Sequence, residues 1–411
     1  MKMLKINLCL IACILVALPA LAQTKITLAE AVSEALQNNA SVQAAAEQQR
    51  AQQALRKTSF DLGKTNISWM RGQYNSLNQD NNITISQSIP FPTVAVAEAR
   101  ANKARAAGAV ALQASAELEL AHRVKQSYLQ LQYLHAQQRV LQSQDSVFRQ
   151  FARAARLRYE AGETTLLEKT TAEAQAAEAT NALQQNERDL AIENTQLQTL
   201  LHTDRVIVPS DSLAVYKSAG WAEETLAGHP QLTYWKHTQG ASAAARRVEQ
   251  SRLLPDITIG YFNQSLIGFQ RSGNSEVFFD KTQRFDGWIF GLSLPLWFRP
   301  QLGRAEAASH EYQAAVKQQA AVQQLLTGSF AQGMQQYEKS LANLRYFEQV
   351  ANANAALILT QAQLAYQRGE VGYVEYLQAV RSGHAIRSNY LQAIYQHNLS
   401  ILYLDFLSGK K

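Results

Sequence analysis

The chain lacks what a helical membrane protein needs and what a disulfide-built secreted protein needs. Of 411 residues only 2 are cysteine and 8 proline, and 18% are charged; mean hydropathy is negative. The one continuous apolar run, Ile6 to Leu18, has about 13 residues, whereas a spanning helix needs roughly 20. A helical span is therefore excluded. The run instead follows a basic start, Met1 to Lys5, and precedes Ala20-Leu21-Ala22, a small-x-small cleavage site. That order predicts an export signal over residues 1–22. Both cysteines, Cys9 and Cys13, lie inside it, so the mature chain is expected to be thiol-free, which suits an oxidising compartment. Leu10-Ile11-Ala12-Cys13 also resembles a lipoprotein box, which leaves lipidation at Cys13 open. Losing Lys2 and Lys5 takes the formal charge from +6 to +4. So diffuse an excess argues against nucleic acid as a partner.

Alanine is absent from Leu55 to Val94 and from Arg246 to Arg304, although it crowds the rest of the chain. Alanine favours helix and is depleted in strands. The pattern reads as helix, strands, helix, twice. A duplication underlies it: Tyr159-Glu160-Ala161-Gly162-Glu163 recurs as Tyr366-Gln367-Arg368-Gly369-Glu370, and Ser86–Pro90 corresponds to Gly291–Pro295. The offset grows between the two strands of the second copy, which places a polar, loop-like insertion between Ser265 and Asp286.

Within the alanine-free windows apolar residues alternate. Ile83, Ile85 and Ile89 oppose Thr84, Ser86 and Ser88; Trp288, Phe290, Leu292 and Leu294 oppose Ile289, Gly291 and Ser293. Period two predicts half-apolar strands, one hairpin at about 67–89 and another at about 257–294. Beyond them, Leu120, Val124, Tyr128, Leu131 and Leu134, then Leu183, Leu190 and Leu197, then Leu341, Leu344, Phe347 and Val350 recur at helical spacing. Thr93 to Glu160 predicts a helix about 100 Å long at roughly 1.5 Å per residue, with Gly162 and Gly369 as left-handed caps. Pro90, Pro92, Pro295 and Pro300 suit strand ends and first helical turns.

The predicted organisation is a signal at 1–22, a first repeat over 23–203, a linker over 204–220, a second repeat over 221–407 and a tail at 408–411. Four strands with one apolar face cannot sit in lipid as an open sheet, and bacterial barrels have at least about eight strands. Several copies of the chain must then close one barrel. Trp69, Trp288, Trp297 and Phe298 near strand ends suit an interfacial girdle.

The doubled Tyr-x-x-Gly-Glu turn resembles the TolC-like outer-membrane efflux family. So do the strand pairs ending in Ile-Pro-Phe-Pro and Leu-Pro-Leu-Trp, and the Thr27-Leu28-x-x-Ala31-x-x-x-Ala35-Leu36 start. The resemblance implies a mainly α chain with a small β part: a long α-helical barrel continuous with a 12-stranded transmembrane β-barrel formed by a homotrimer. It implies a passive exit duct of a tripartite efflux system in the cell outer membrane. The partners implied are outer-membrane lipid, a periplasmic adaptor and an inner-membrane pump of the resistance-nodulation-division type. It also implies that the tips at Gly162 and Gly369, with Tyr159, Glu163, Tyr366 and Glu370, form the periplasmic aperture and adaptor contact. Glu168 and Glu375 stand where the family often has aspartate, and Gln378 where some members carry a second acid. Three copies would set six carboxylates near the pore axis, attracting cations; solvated helix-start acids are the plainer reading. Arg158 and Arg368, with Tyr159 and Tyr366, either bond between helices or anchor the turns.

Gly260-Tyr261-Phe262-Asn263-Gln264-Ser265 is similar to members that serve heavy-metal pumps, favouring metal cations (cobalt, zinc and cadmium, or copper and silver) over drugs. A periplasmic coiled-coil scaffold or adaptor, or a component of type I protein secretion, is the alternative. His122, His135, His202, His229, His237, His310, His384 and His397 are scattered, without a His-Glu-x-x-His or paired-Cys signature, so no metal or cofactor site is expected. No nucleophile elbow, phosphate loop or dinucleotide fingerprint points to an enzyme.

Overall fold

The computed structural model describes residues 24–75, 77–218 and 220–411; the expected signal at 1–22, with Cys9 and Cys13, lies outside them. In chain order the elements are β1 (Thr24–Ile26), α1 (Leu28–Asn38), α2 (Ala40–Leu55), β2 (Asn66–Gly72), β3 (Asp80–Ile89), α3 (Pro92–Glu160), α4 (Leu166–Leu201), β4 (Ile207–Pro209) and α5 (Pro230–Ser251). There follow β5 (Asp256–Ser265), β6 (Gly268–Ser272), β7 (Ser275–Phe279), β8 (Arg284–Ser293), α6 (Phe298–Tyr346), a π-helical turn at Phe347–Ala351, α7 (Asn352–Gln367) and α8 (Tyr373–Leu407). Two compact units form, each drawing on both sequence repeats: residues 44–114 with 230–325, and the rest.

The first of these units holds a four-stranded antiparallel sheet in the order β2-β3-β5-β8. Its register puts Ile67, Ile85, Tyr261 and Trp288 in one row and Ile89, Ile257 and Leu292 in another. Paired residues share a face, so one face is largely apolar across all four strands, with Asn263 and Asp286 in the row of Trp69 and Ile83, and Gln87 in the row of Ile259. The opposite face carries Ser86, Gly260 and Ile289 in one row, and Thr84, Phe262 and Gly287 in the next. Gly287 has a packing reason: a Cβ there would lie 2.8 Å from the Phe262 ring. The Ser265–Asp286 insertion differs from the expected loop. It folds as its own hairpin, β6–β7, with Phe269 edge-on to Phe278 at 5.2 Å. Gly273, at φ +67°, and Asn274 make the two-residue connection, the turn chemistry that antiparallel hairpins favour.

In the other unit the periodic residues behave as a stripe. Leu120, Val124, Tyr128 and Leu131 of α3 bury with Ala31 and Ala35 of α1 and with Leu197 and Leu201 of α4. The Tyr128 hydroxyl donates to the Ile26 carbonyl at 2.9 Å, tying β1 to the long helix, and β1 pairs in parallel with β4. Thr27 and Glu30 close α1 with a reciprocal capping box. The segment after β4 is strapped to α8: Tyr216 N–H donates to Asn398 Oδ1 at 2.8 Å, and Asn398 Nδ2 donates to the Ala214 carbonyl at 2.7 Å.

One stripe departs from the expectation. Leu344 and Phe347 are buried but Val350 is 48% exposed, and Ala351 takes the buried place. Successive steps of three drift off a 3.6-residue face, whereas Leu344, Phe347, Ala351 and Ala355, at steps of three, four and four, stay on it; a π-turn spans Phe347–Ala351.

Candidate functional site

Both repeat turns end their helices in the same way. Gly162 (φ +74°) donates to the Tyr159 carbonyl at 3.0 Å and Glu163 N–H to Arg158 at 2.8 Å. Gly369 (φ +73°) and Glu370 repeat this with Tyr366 at 3.1 Å and Ala365 at 2.9 Å. These paired bonds form a Schellman cap, which needs a left-handed residue and so favours glycine.

The helices beside the turns pack on each other. Ala155, Ala172, Ala176 and Ala179 of the first repeat share a core with Tyr373, Leu377 and Val380 of the second. Phe151 is central: its ring lies 5.8 Å from Tyr366, 5.7 Å from Tyr373 and 4.9 Å from Tyr376, and Tyr366 stacks on Tyr376 at 4.7 Å. Small alanines let the helices approach and one aromatic cluster locks them.

Beside this cluster the first turns of α4 and α8 wall a groove of about 790 Å³, lined by Glu168, Gln175, Tyr373, Leu377, Gln378 and Arg381 among others. Glu168 and Gln378 thus share one groove, and Glu375 is not among its walls. Glu168 accepts from the Thr164 hydroxyl at 2.5 Å and faces Arg158 Nη1 at 3.5 Å. Its backbone N–H donates to the Thr165 cap at 3.2 Å. Glu375 accepts from Gly372 N–H at 3.0 Å. Both acids therefore do helix-start work, and Arg158 offsets the Glu168 charge. Burial, then the Glu168 carboxylate and Tyr366, push the Tyr373 hydroxyl up to about 12. That hydroxyl and Gln175 Oε1 are buried without a hydrogen-bond partner.

The remaining tip residues act locally. Lys169 lies 5.1 Å over the Tyr159 ring, Arg158 reaches Glu163 at 3.9 Å and Arg368 reaches Glu370 at 3.8 Å. Phe151, Tyr373, Tyr376 and Arg381 were missed from the sequence. Tyr366 and the Tyr373–Tyr376 pair lie on different helices either side of the Gly369 turn, and Phe151 has no sequence link to them.

Trp69 and Trp288 lie within β2 and β8 on the apolar sheet face; Trp297 precedes α6 and Phe298 opens it. All four are exposed, as are Ile67, Phe290, Leu292 and Leu294. The two outer strands of the sheet, β2 and β8, each pair on one side only. An uncovered apolar face with two open edges is not a surface that one chain keeps in water. Among the described residues no helix is long and apolar enough to cross a membrane, and no cluster of three potential metal ligands occurs.

This fold is that of outer-membrane channels. It matches CusC, in a structure of its folding and transmembrane channel formation, with TM-score 0.76, 19% identity and coverage of 95% of this chain and 93% of that one. VceC from Vibrio cholerae matches with TM-score 0.77 and 21% identity over 93% and 96%. The OprN outer-membrane channel matches with 0.79 and 18% over 93% and 90%. No curated protein matches by sequence. The second repeat adds sequence evidence, because residues 221–410 match the outer membrane efflux protein family. The whole chain thus has the fold of these channels, and its second repeat resembles the outer membrane efflux protein family.

Proposed function

We propose that the chain is the outer-membrane exit duct of a tripartite efflux system. The open, four-stranded sheet with one largely apolar, exposed face carries this reading. In lipid every backbone group needs a partner, so β2 of one copy must pair with β8 of the next until the sheet closes. Three copies supply 12 strands, within the range of bacterial barrels, and Trp69, Trp288, Trp297 and Phe298 then serve as interfacial aromatics.

The Gly162 and Gly369 turns form the aperture that meets a periplasmic adaptor and, through it, a pump of the resistance-nodulation-division type. Glu168, Glu375 and Gln378 line that aperture. Metal cations are the favoured cargo, on the Gly260–Ser265 segment. Fractionation tests the duct directly: the chain should be extracted from outer membranes by detergent as a trimer. Recovery as a soluble periplasmic protein would sink the proposal. In planar bilayers Glu168→Ala with Glu375→Ala should lower cation selectivity, and unchanged selectivity would remove the acidic aperture.

A further inference from the structure

A second cavity lies away from the turns, between α3 and α8. The two helices run antiparallel here: Gln137 Nε2 donates to Ser388 Oγ at 2.6 Å, and Tyr133 meets Tyr395 at 5.0 Å. Ala136, Arg139, Val140 and Ser143 on one helix and His384, Arg387 and Leu391 on the other enclose about 240 Å³. Arg139 and Arg387 are exposed, and His384 is only 4% exposed. Its Nδ1 is buried without a hydrogen-bond partner. Two guanidinium groups from different helices and a buried imidazole therefore converge on a space whose walls carry no carboxylate. Among the described residues neither arginine has an ion-pair partner.

We propose that Arg139, Arg387, His384 and Ser143 form a binding site for a small oxyanion such as sulfate or phosphate. Guanidinium forks match paired oxygens at the rim, the Ser143 hydroxyl adds a donor, and the imidazole donates once protonated. A bound anion offsets the repulsion between the two cations and joins α3 to α8.

The titratable groups facing His384 are Arg387 on its own helix and Arg139 across the groove, with His135 beside Arg139. Burial and Arg387 hold His384 below the ordinary imidazole range. An anion reverses that field, so it binds more tightly at low pH.

The test uses the full chain extracted in detergent, with thermal melts in sodium sulfate against sodium chloride at equal ionic strength. Sulfate keeps its charge between pH 6 and 8. A saturable rise in Tm is expected, with several-fold tighter apparent binding at pH 6 than at pH 8. Arg139→Gln with Arg387→Gln should weaken binding at least tenfold while the far-UV spectrum and oligomeric state are kept. His384→Gln should retain binding and flatten its pH dependence. Equal response of wild type and the double-arginine variant, or no saturable response, overturns the site. So does loss of the oligomer in the double variant without sulfate, which would show a carboxylate of a second copy in the groove.

Discussion

Phe151 should control how firmly the two helical turns hold together. Its ring, from the first repeat, contacts Tyr366, Tyr373 and Tyr376 of the second. Each aromatic pair contributes about 0.5–1.5 kcal/mol beyond burial. The three pairs share one ring and are not additive, so together they contribute about 2 kcal/mol. Lost burial of a partly buried ring adds about 1 kcal/mol, giving about 3 kcal/mol for Phe151→Ala, at the low end for a core phenylalanine. If separated helices lack this contact, the balance between packed and separated turns shifts on the order of 100-fold. Phe151→Leu keeps most of the volume and loses the ring pairs, about 2 kcal/mol, so about 30-fold is expected. Single-channel recording of the reconstituted protein reads this as open probability, ordered alanine, leucine, wild type. A melt followed by circular dichroism separates it from global unfolding. Equal open probability in all three, at unchanged stability, refutes the idea that this cluster locks the turns.

Two further outcomes follow from backbone and charge. Gly162→Ala and Gly369→Ala should each cost about 1–2 kcal/mol, the left-handed penalty of an L-residue, because nothing lies within 4 Å of a Cβ at either site; an unchanged Tm would contradict the cap assignment. His122 stacks on Phe406 at 4.5 Å, and burial, then Lys125, lower its pKa to about 4, against bonding to the Leu402 carbonyl and the Glu119 charge. The folded pKa lies below the unfolded value near 6.5. Unfolded chains therefore bind the extra proton, and stability falls as pH drops from about 6.5 towards 4 while staying flat above. His122→Phe should remove part of that slope in pH-dependent melts.

Much of the molecule was legible because local rules act locally. Spacing at Leu120, Val124, Tyr128 and Leu131 exposed a helical stripe, alternation at Ile83, Ile85 and Trp288 exposed strand faces, and Gly162 and Gly369 marked caps. The β6–β7 hairpin was read as a loop because the insertion is polar overall, although Gly273-Asn274 between aromatic residues is a turn signal. Val350 was grouped with Leu341, Leu344 and Phe347 because a run of threes looks helical over one turn; over two turns it drifts, and Ala351 holds the buried place.

What the sequence alone determined was the long helices and their Gly162 and Gly369 caps, the duplication and the strands with one largely apolar face. The tertiary structure decided which side chains meet. Phe151 reaches Tyr376, and Arg139 shares a cavity with His384, only because α3 and α8 run antiparallel in contact. It also decided charge: Glu168 looked like a free carboxylate, yet Arg158 and Thr164 engage it. Periodicity encodes the face a residue presents, but the partner on that face comes from a distant segment, and its identity sets the chemistry.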